Sequence, residues 1–162
     1  MTTAHSHAGD VIWMSLVVAF MLTLLPLPDW AVPYRPEWVL LVLTYWSMAL
    51  PNRVGVGVGW LCGLFMDVLR ETLLGQNALS FALATFIILS LHRQLRVFPR
   101  WQQGGVVLVL VLIHQIIGLW VRAISGHPPD DSRYWLPVIT TTFFWPWVFV
   151  VLRDLRRWFR VS

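Results

Sequence analysis

The apolar runs of this chain constrain it more than any other feature. Six of them separate at turn signals, near Val11–Leu25, Glu37–Leu50, Val54–Leu74, Ala78–Leu91, Gly104–Val121 and Trp135–Leu152. A full bilayer crossing needs roughly 20 mostly apolar residues. The second and fourth runs are shorter, so they must draw on flanking residues, sit near an interface or be partly re-entrant. Charged residues make up only 12% of the 162, and 57% are hydrophobic, whereas a soluble domain carries about 25% charged residues. So little charge cannot cover a water-facing surface. The fold class expected is an all-α membrane protein of five or six crossings in one compact bundle.

The breaks have local causes. Pro26, Pro28 and Pro33 end the first run, because proline lacks the amide donor and clashes with the preceding turn. "RPEW", Arg35 to Trp38, opens the second, with Pro36 and Glu37 suited to a helix N-terminus. "PNR", Pro51 to Arg53, is short enough to force an antiparallel hairpin, and "GHPPDDSRYW", Gly126 to Trp135, reads as a solvated loop.

Arginine placement sets orientation. All 12 basic residues are arginine. With six spans, Arg53, Arg93, Arg96, Arg100, Arg153, Arg156, Arg157 and Arg160 share one side with the N-terminal tail. Only Arg35, Arg70, Arg122 and Arg133 lie on the other, beside Asp29, Glu71, Asp130 and Asp131. The positive-inside rule then puts both termini in the cytoplasm, and that even parity favours six spans over five. The domain reading is a flexible tail over 1–10, a six-helix bundle over 11–152 and a basic amphipathic tail over 153–162. In that last tail Arg153, Arg156, Arg157 and Arg160 fit a membrane-surface anchor or a docking site for a cytoplasmic partner. The high isoelectric point reflects this topology, and nucleic-acid binding is not expected. "MTTAHSHAGD" has no basic residue and no cleavage site follows the first run, so that run is expected to stay as an anchor.

Catalysis finds little footing. The single cysteine, Cys62, excludes an internal disulfide and a thiolate cluster, and it reads as packing. His5 and His7 read as solvated polar residues, so no metal and no cofactor are expected. No phosphate loop, nucleophile motif or paired acid and base is legible. His114 and Gln115, inside the fifth run, need polar partners and read as an interhelical hydrogen bond. Trp30, Trp38, Trp101, Trp120, Trp135 and Trp158 lie near run ends, as interfacial anchors do.

"GVGVGWLCGLFMDVLRE" is the informative stretch. Gly55, Gly59 and Gly63 recur every four residues and Asp67 follows at the same spacing, so all four share one helical face. Small residues let another helix backbone approach closely in lipid. The face therefore reads as a helix-contact surface ending in a carboxylate, with Arg70 and a turn at Gly75 shaping its end. Asp67 is either interfacial and paired with Arg70, or a polar anchor for a neighbouring helix or a cavity.

The segment from Arg35 to Leu79, with its arginine-proline opening, PxR hairpin, glycine-spaced helix ending in aspartate and following "LGQNAL", resembles the MreD family. "WPWVFVVLRDLRRWF", Trp145 to Phe159, is similar to that family's last span and basic tail, and length and span number fit along essentially the whole chain. The resemblance implies a non-enzymatic scaffold of the bacterial inner membrane. Its implied partners are MreC, a single-span protein with a periplasmic domain, and the machinery of lateral peptidoglycan synthesis: RodA, a class B penicillin-binding transpeptidase and MreB. It also implies a fold like the S-components of energy-coupling-factor transporters, six helices around a central cavity. A carrier of that kind, the competing reading, would need Asp67, Asn77, His114, Gln115 and Arg122 to converge on one cavity.

Overall fold

The computed structural model describes residues 3–26, 28–31, 34–50, 54–70, 75–126 and 132–158, with side chains for all of these except 3–8, 70, 132 and 133. Among the described residues there are six α-helices: α1 Thr3–Leu24, α2 Trp38–Ala49, α3 Val56–Arg70, α4 Gln76–Val97, α5 Arg100–Ile124 and α6 Leu136–Trp158. A 3-10 turn, Ser132–Trp135, leads into α6. Helices α4, α5 and α6 are long and apolar enough to cross a membrane, while Gly9–Leu24, α2 and Val56–Leu69 are shorter apolar helices. The PNR hairpin, Glu71, Asp130, Asp131 and Arg160 lie outside the described residues, as do the side chains of Arg70 and Arg133.

Helix α2 occupies the interior. Every residue from Val39 to Ala49 is buried, as expected of a helix that is apolar all round and has no polar face to offer solvent. It packs against α1, α4 and α6, and the most extensive contact in the bundle joins α3 to α4. The outer walls carry exposed apolar side chains, among them Met14 and Met21 on α1, Phe65 and Val68 on α3 and Ile139 and Phe143 on α6. Such a surface suits hydrocarbon, where no hydrophobic force drives it inward.

Two helices run past the apolar runs that announce them. Helix α1 begins at Thr3, so the backbone of the expected N-terminal tail belongs to the first helix. Helix α4 continues beyond Leu91 to Val97, and only Phe98 and Pro99 separate it from α5. Phe98 is extended, with ψ of 141°, because a residue before proline avoids the helical region, and Pro99 follows it with ψ of 162°. Arg93 and Arg96 thus ride on the last turns of α4, where a long side chain can reach out of an apolar layer.

The ends of neighbouring helices close one another. Arg96 Nε and Nη2 donate to the carbonyls of Met48 and Ala49 at 3.0 and 2.9 Å, which satisfies the free C-terminal carbonyls of α2 with a cation. Nearby, Gln103 Nε2 donates to Leu95 O at 2.8 Å, and the Arg100 guanidinium lies 5.3 Å above the Phe149 ring. On the inner side of α1, Trp46 Nε1 donates to Ser15 Oγ at 2.8 Å.

Candidate functional site

A connected group of buried polar residues lies at the opposite end of the bundle from Arg96. Asp67, near the end of α3, is 1% exposed. Its Oδ1 accepts the backbone and side-chain N–H groups of Asn77 at 2.9 Å each, and its Oδ2 accepts the N–H of Gly75 at 2.9 Å and of Ala78 at 3.3 Å. The first amides of a helix have no partner within it, and the helix dipole favours negative charge beside them. Asp67 therefore supplies from α3 the cap that α4 lacks, since Gly75 has no side chain. Gly75 has φ of 103°, a left-handed conformation that costs glycine little. It turns the chain into α4 so that its own N–H meets the carboxylate.

The glycines upstream make this approach feasible. A Cβ on Gly63 would overlap the Asn77 carbonyl and the Ala78 backbone, and one on Gly59 would overlap the Thr85 hydroxyl and press on Phe81 O. Gly55 has open space around it. Gly59 and Gly63 thus pack against α4 of the same chain, and the contact surface read from the sequence is occupied internally at those two positions.

From Asn77 the network runs across the bundle. Asn77 O accepts from Ser80 Oγ at 3.1 Å, and Ser80 Oγ lies 2.7 Å from His114 Nδ1 on α5. His114 Nε2 is 3.7 Å from Glu37 Oε1 at the start of α2, and the Glu37 N–H donates to Thr141 Oγ1 of α6 at 3.0 Å. Ser80 has one hydroxyl proton; donated to Asn77 O, it leaves the imidazole Nδ1 as donor to Ser80. Nε2 then faces the Glu37 carboxyl group. Asp67, Asn77, Ser80, His114, Glu37 and Thr141 are all buried and connect α3, α4, α5, α2 and α6.

Gln115 and Arg122 belong to an adjoining cluster. Gln115 Nε2 donates to Tyr134 O at 2.7 Å, and Tyr134 Oη donates back to Gln115 O at 2.6 Å. Gly118 leaves the room, since a Cβ there would stand 2.8 Å from Tyr134 Oη. Arg122 stacks over the Tyr134 ring at 5.2 Å. Burial pushes the Tyr134 phenol above its ordinary range, with Arg122 opposing and Glu37 reinforcing the shift.

The structure thus brings Asp67, Asn77 and His114 into one chain of contacts and holds Gln115 and Arg122 on Tyr134 beside it. Glu37, Ser80, Tyr134 and Thr141 complete the arrangement without having stood out in the sequence. Glu37 carried a signal, a carboxylate directly ahead of an uninterrupted apolar helix. Ser80, Tyr134 and Thr141 carried none, since such residues are common in membrane helices and loops. Arg153, Arg156 and Arg157 lie on the last two turns of α6, and Arg153 Nε is 3.8 Å from Asp154. Chemically the network offers helix clamping. Among the described residues no group of three or more His, Cys, Asp or Glu could hold a metal ion.

Comparison with known proteins places this geometry in context. The family model described as "rod shape-determining protein MreD" matches residues 8–155. The chain is 33% identical over 144 residues to the rod shape-determining protein MreD of Haemophilus influenzae, covering 87% of each chain. No solved structure matches.

Proposed function

The chain belongs to the MreD family of rod shape-determining proteins, and from that premise we propose that it is a non-enzymatic scaffold of the bacterial cell-elongation machinery. In this reading it sits in the inner membrane with six spans and both termini in the cytoplasm. It binds MreC and helps to control lateral peptidoglycan synthesis together with a class B penicillin-binding transpeptidase, RodA and MreB.

The observation that supports a scaffold best is the use to which the buried polar groups are put. Asp67 has its two oxygens engaged by four N–H groups of the neighbouring helix, and His114 lies between Ser80 and Glu37. Groups committed in this way fix the relative positions of five helices. A fixed bundle presents constant lateral faces to partner spans, which is what a scaffold in lipid requires, since helix association there depends on close packing. The six spans and the S-component-like architecture remain part of this proposal, as does the orientation set by the arginines at the Arg96 end.

The test is mild-detergent purification of the full chain from its native membrane, followed by mass spectrometry of co-purifying proteins and small molecules, for wild type and Asp67→Ala. The scaffold reading expects an MreC-like protein and wall-synthesis enzymes with wild type, reduced in the variant. A stoichiometric small molecule lost in the variant, with no such proteins, would replace it with the carrier reading.

A further inference from the structure

By helical phase the arginines at the end of α6 look toward α5. Arg153, Arg156 and Arg157 follow Phe149 at four, seven and eight residues, so they project on the side of its ring. The Arg100 guanidinium of α5 lies over that ring at 5.3 Å, and the Tyr45 ring of α2 meets it edge-on at 5.5 Å. Arg156 is hydrogen-bonded to the Tyr45 hydroxyl. Phe149 is thus the hub of a corner where α2, α5 and α6 meet and cations from two helices converge.

The fold does not neutralise this corner. Arg96 is committed to the carbonyls of α2, but Arg100 has only the Phe149 ring among the described residues. Arg153 Nε is shielded from solvent without a hydrogen-bond partner; its charge partner, Asp154 Oδ1, is 3.8 Å away on a side chain 64% exposed. Asp10 belongs to α1, which meets α2 at Trp46, one position and about 100° round that helix from Tyr45. Among the described residues Asp154 thus stands against Arg100, Arg153, Arg156 and Arg157, and like charges held together repel.

The corner also lies at the edge of the apolar layer. Arg153 directly follows Leu152, the end of the sixth apolar run, and Arg100 stands four residues, about 6 Å, before Gly104, where the fifth begins. Trp101 and Trp158 are exposed beside them, as rings at headgroup level are. Lipid phosphates occupy that depth, and the planar guanidinium fork matches a phosphate with two parallel hydrogen bonds.

We infer that this α2/α5/α6 corner binds the phosphate of one anionic phospholipid, bridged between Arg100 of α5 and Arg153 of α6. Phe149 holds Arg100 in place, and Arg156, tied to Tyr45, adds its charge. The phosphate offsets the repulsion among the arginines and clamps the start of α5 to the end of α6. This requires the bundle to be embedded in a membrane and does not depend on which proteins it binds. Arg100 and Arg153 are each worth about fivefold in retention at an anionic surface.

The experiment is native mass spectrometry of the full chain reconstituted in bilayers of equal phosphatidylglycerol and phosphatidylcholine with matched acyl chains, then released with mild detergent. The expected result is one retained phosphatidylglycerol in clear excess over phosphatidylcholine. Arg100→Gln with Arg153→Gln, which spares Arg156 at Tyr45, should cut that retention about 25-fold. Phe149→Leu removes no charge but takes away the platform under Arg100, and it should lower retention as well. Arg93→Gln, exposed on α4 at the same end, should leave it intact. Equal retention of the two lipids, wild-type retention by Phe149→Leu, or a loss with Arg93→Gln as large as with Arg100→Gln would overturn the inference and leave only the general attraction of a basic face. Displacement of the phosphatidylglycerol by inorganic phosphate would overturn it in favour of a soluble phosphate. Lipid retention unchanged in the double variant, with an acidic protein lost from the purified chain, would overturn it too and assign the corner to that protein.

Discussion

Asp67 Oδ1 accepts both the backbone and the side-chain N–H of Asn77, each at 2.9 Å, across the turn between α3 and α4. One carboxylate thereby ends one helix and begins the next. Removing it leaves the amides of Gly75, Asn77 and Ala78 and the Asn77 amide group without that acceptor, and each buried orphan donor costs about 1–3 kcal/mol. Asp67→Ala should therefore lower the unfolding midpoint in mixed micelles by a margin equivalent to at least ~2 kcal/mol. It should also speed amide exchange at residues 75–80 first. Asp67→Asn, which keeps one acceptor oxygen, should fall between.

The glycines of α3 should differ in a fixed order. Gly63→Ala puts a methyl group into the Asn77–Ala78 backbone, which cannot yield without moving α4. The cost should be at the upper end of the ~1–3 kcal/mol usual for overpacking. Gly59→Ala meets first the Thr85 hydroxyl, a side chain, and should cost less. Gly55→Ala meets nothing and should stay within ~0.5 kcal/mol of wild type. Unfolding of the three variants side by side checks the order.

Glu37 and His114 should be energetically coupled. A double-mutant cycle with Glu37→Gln and His114→Gln should return an interaction of about 0.5–3 kcal/mol, as expected for residues in one buried network. Single changes should cost more than the double change implies by addition, because each leaves the other partner buried and mismatched.

Arg96 closes α2 from the opposite end. Arg96→Ala should destabilise by roughly 0.5–1 kcal/mol, since the guanidinium is partly solvated and a cation at a helix C-terminus is worth about that much. Arg96→Lys should recover only part, because lysine lacks the planar fork that reaches two carbonyls. The same unfolding assay measures both.

Much of this architecture is legible in the sequence, and the parts that are not have identifiable causes. The four-residue spacing of Gly55, Gly59, Gly63 and Asp67 announces a contact face with a carboxylate at its end. It does not say that α4 of the same chain fills that face, because this depends on how the chain turns through Gly75. Arg93 and Arg96 read as loop residues by polarity, yet they belong to α4, since arginine stems extend out of an apolar layer without breaking the helix. Glu37 reads as a helix-start residue, which it is; its His114 partner is 77 positions away, and no local pattern links them. Tyr134 lies in what reads as a solvated loop, but a mutual pair of hydrogen bonds with Gln115 draws it against α5.

Cell shape itself tests the account's central claim, that a rigid α3–α4 pair lets this chain act as a scaffold of rod elongation, most directly. The measurement is cell width and length in a rod-shaped bacterium depleted of its own MreD and supplied with wild type, Gly55→Ala or Gly63→Leu, with membrane levels matched by immunoblot. The account predicts rods with wild type and Gly55→Ala and rounded cells with Gly63→Leu despite normal insertion. Rods with all three would contradict it.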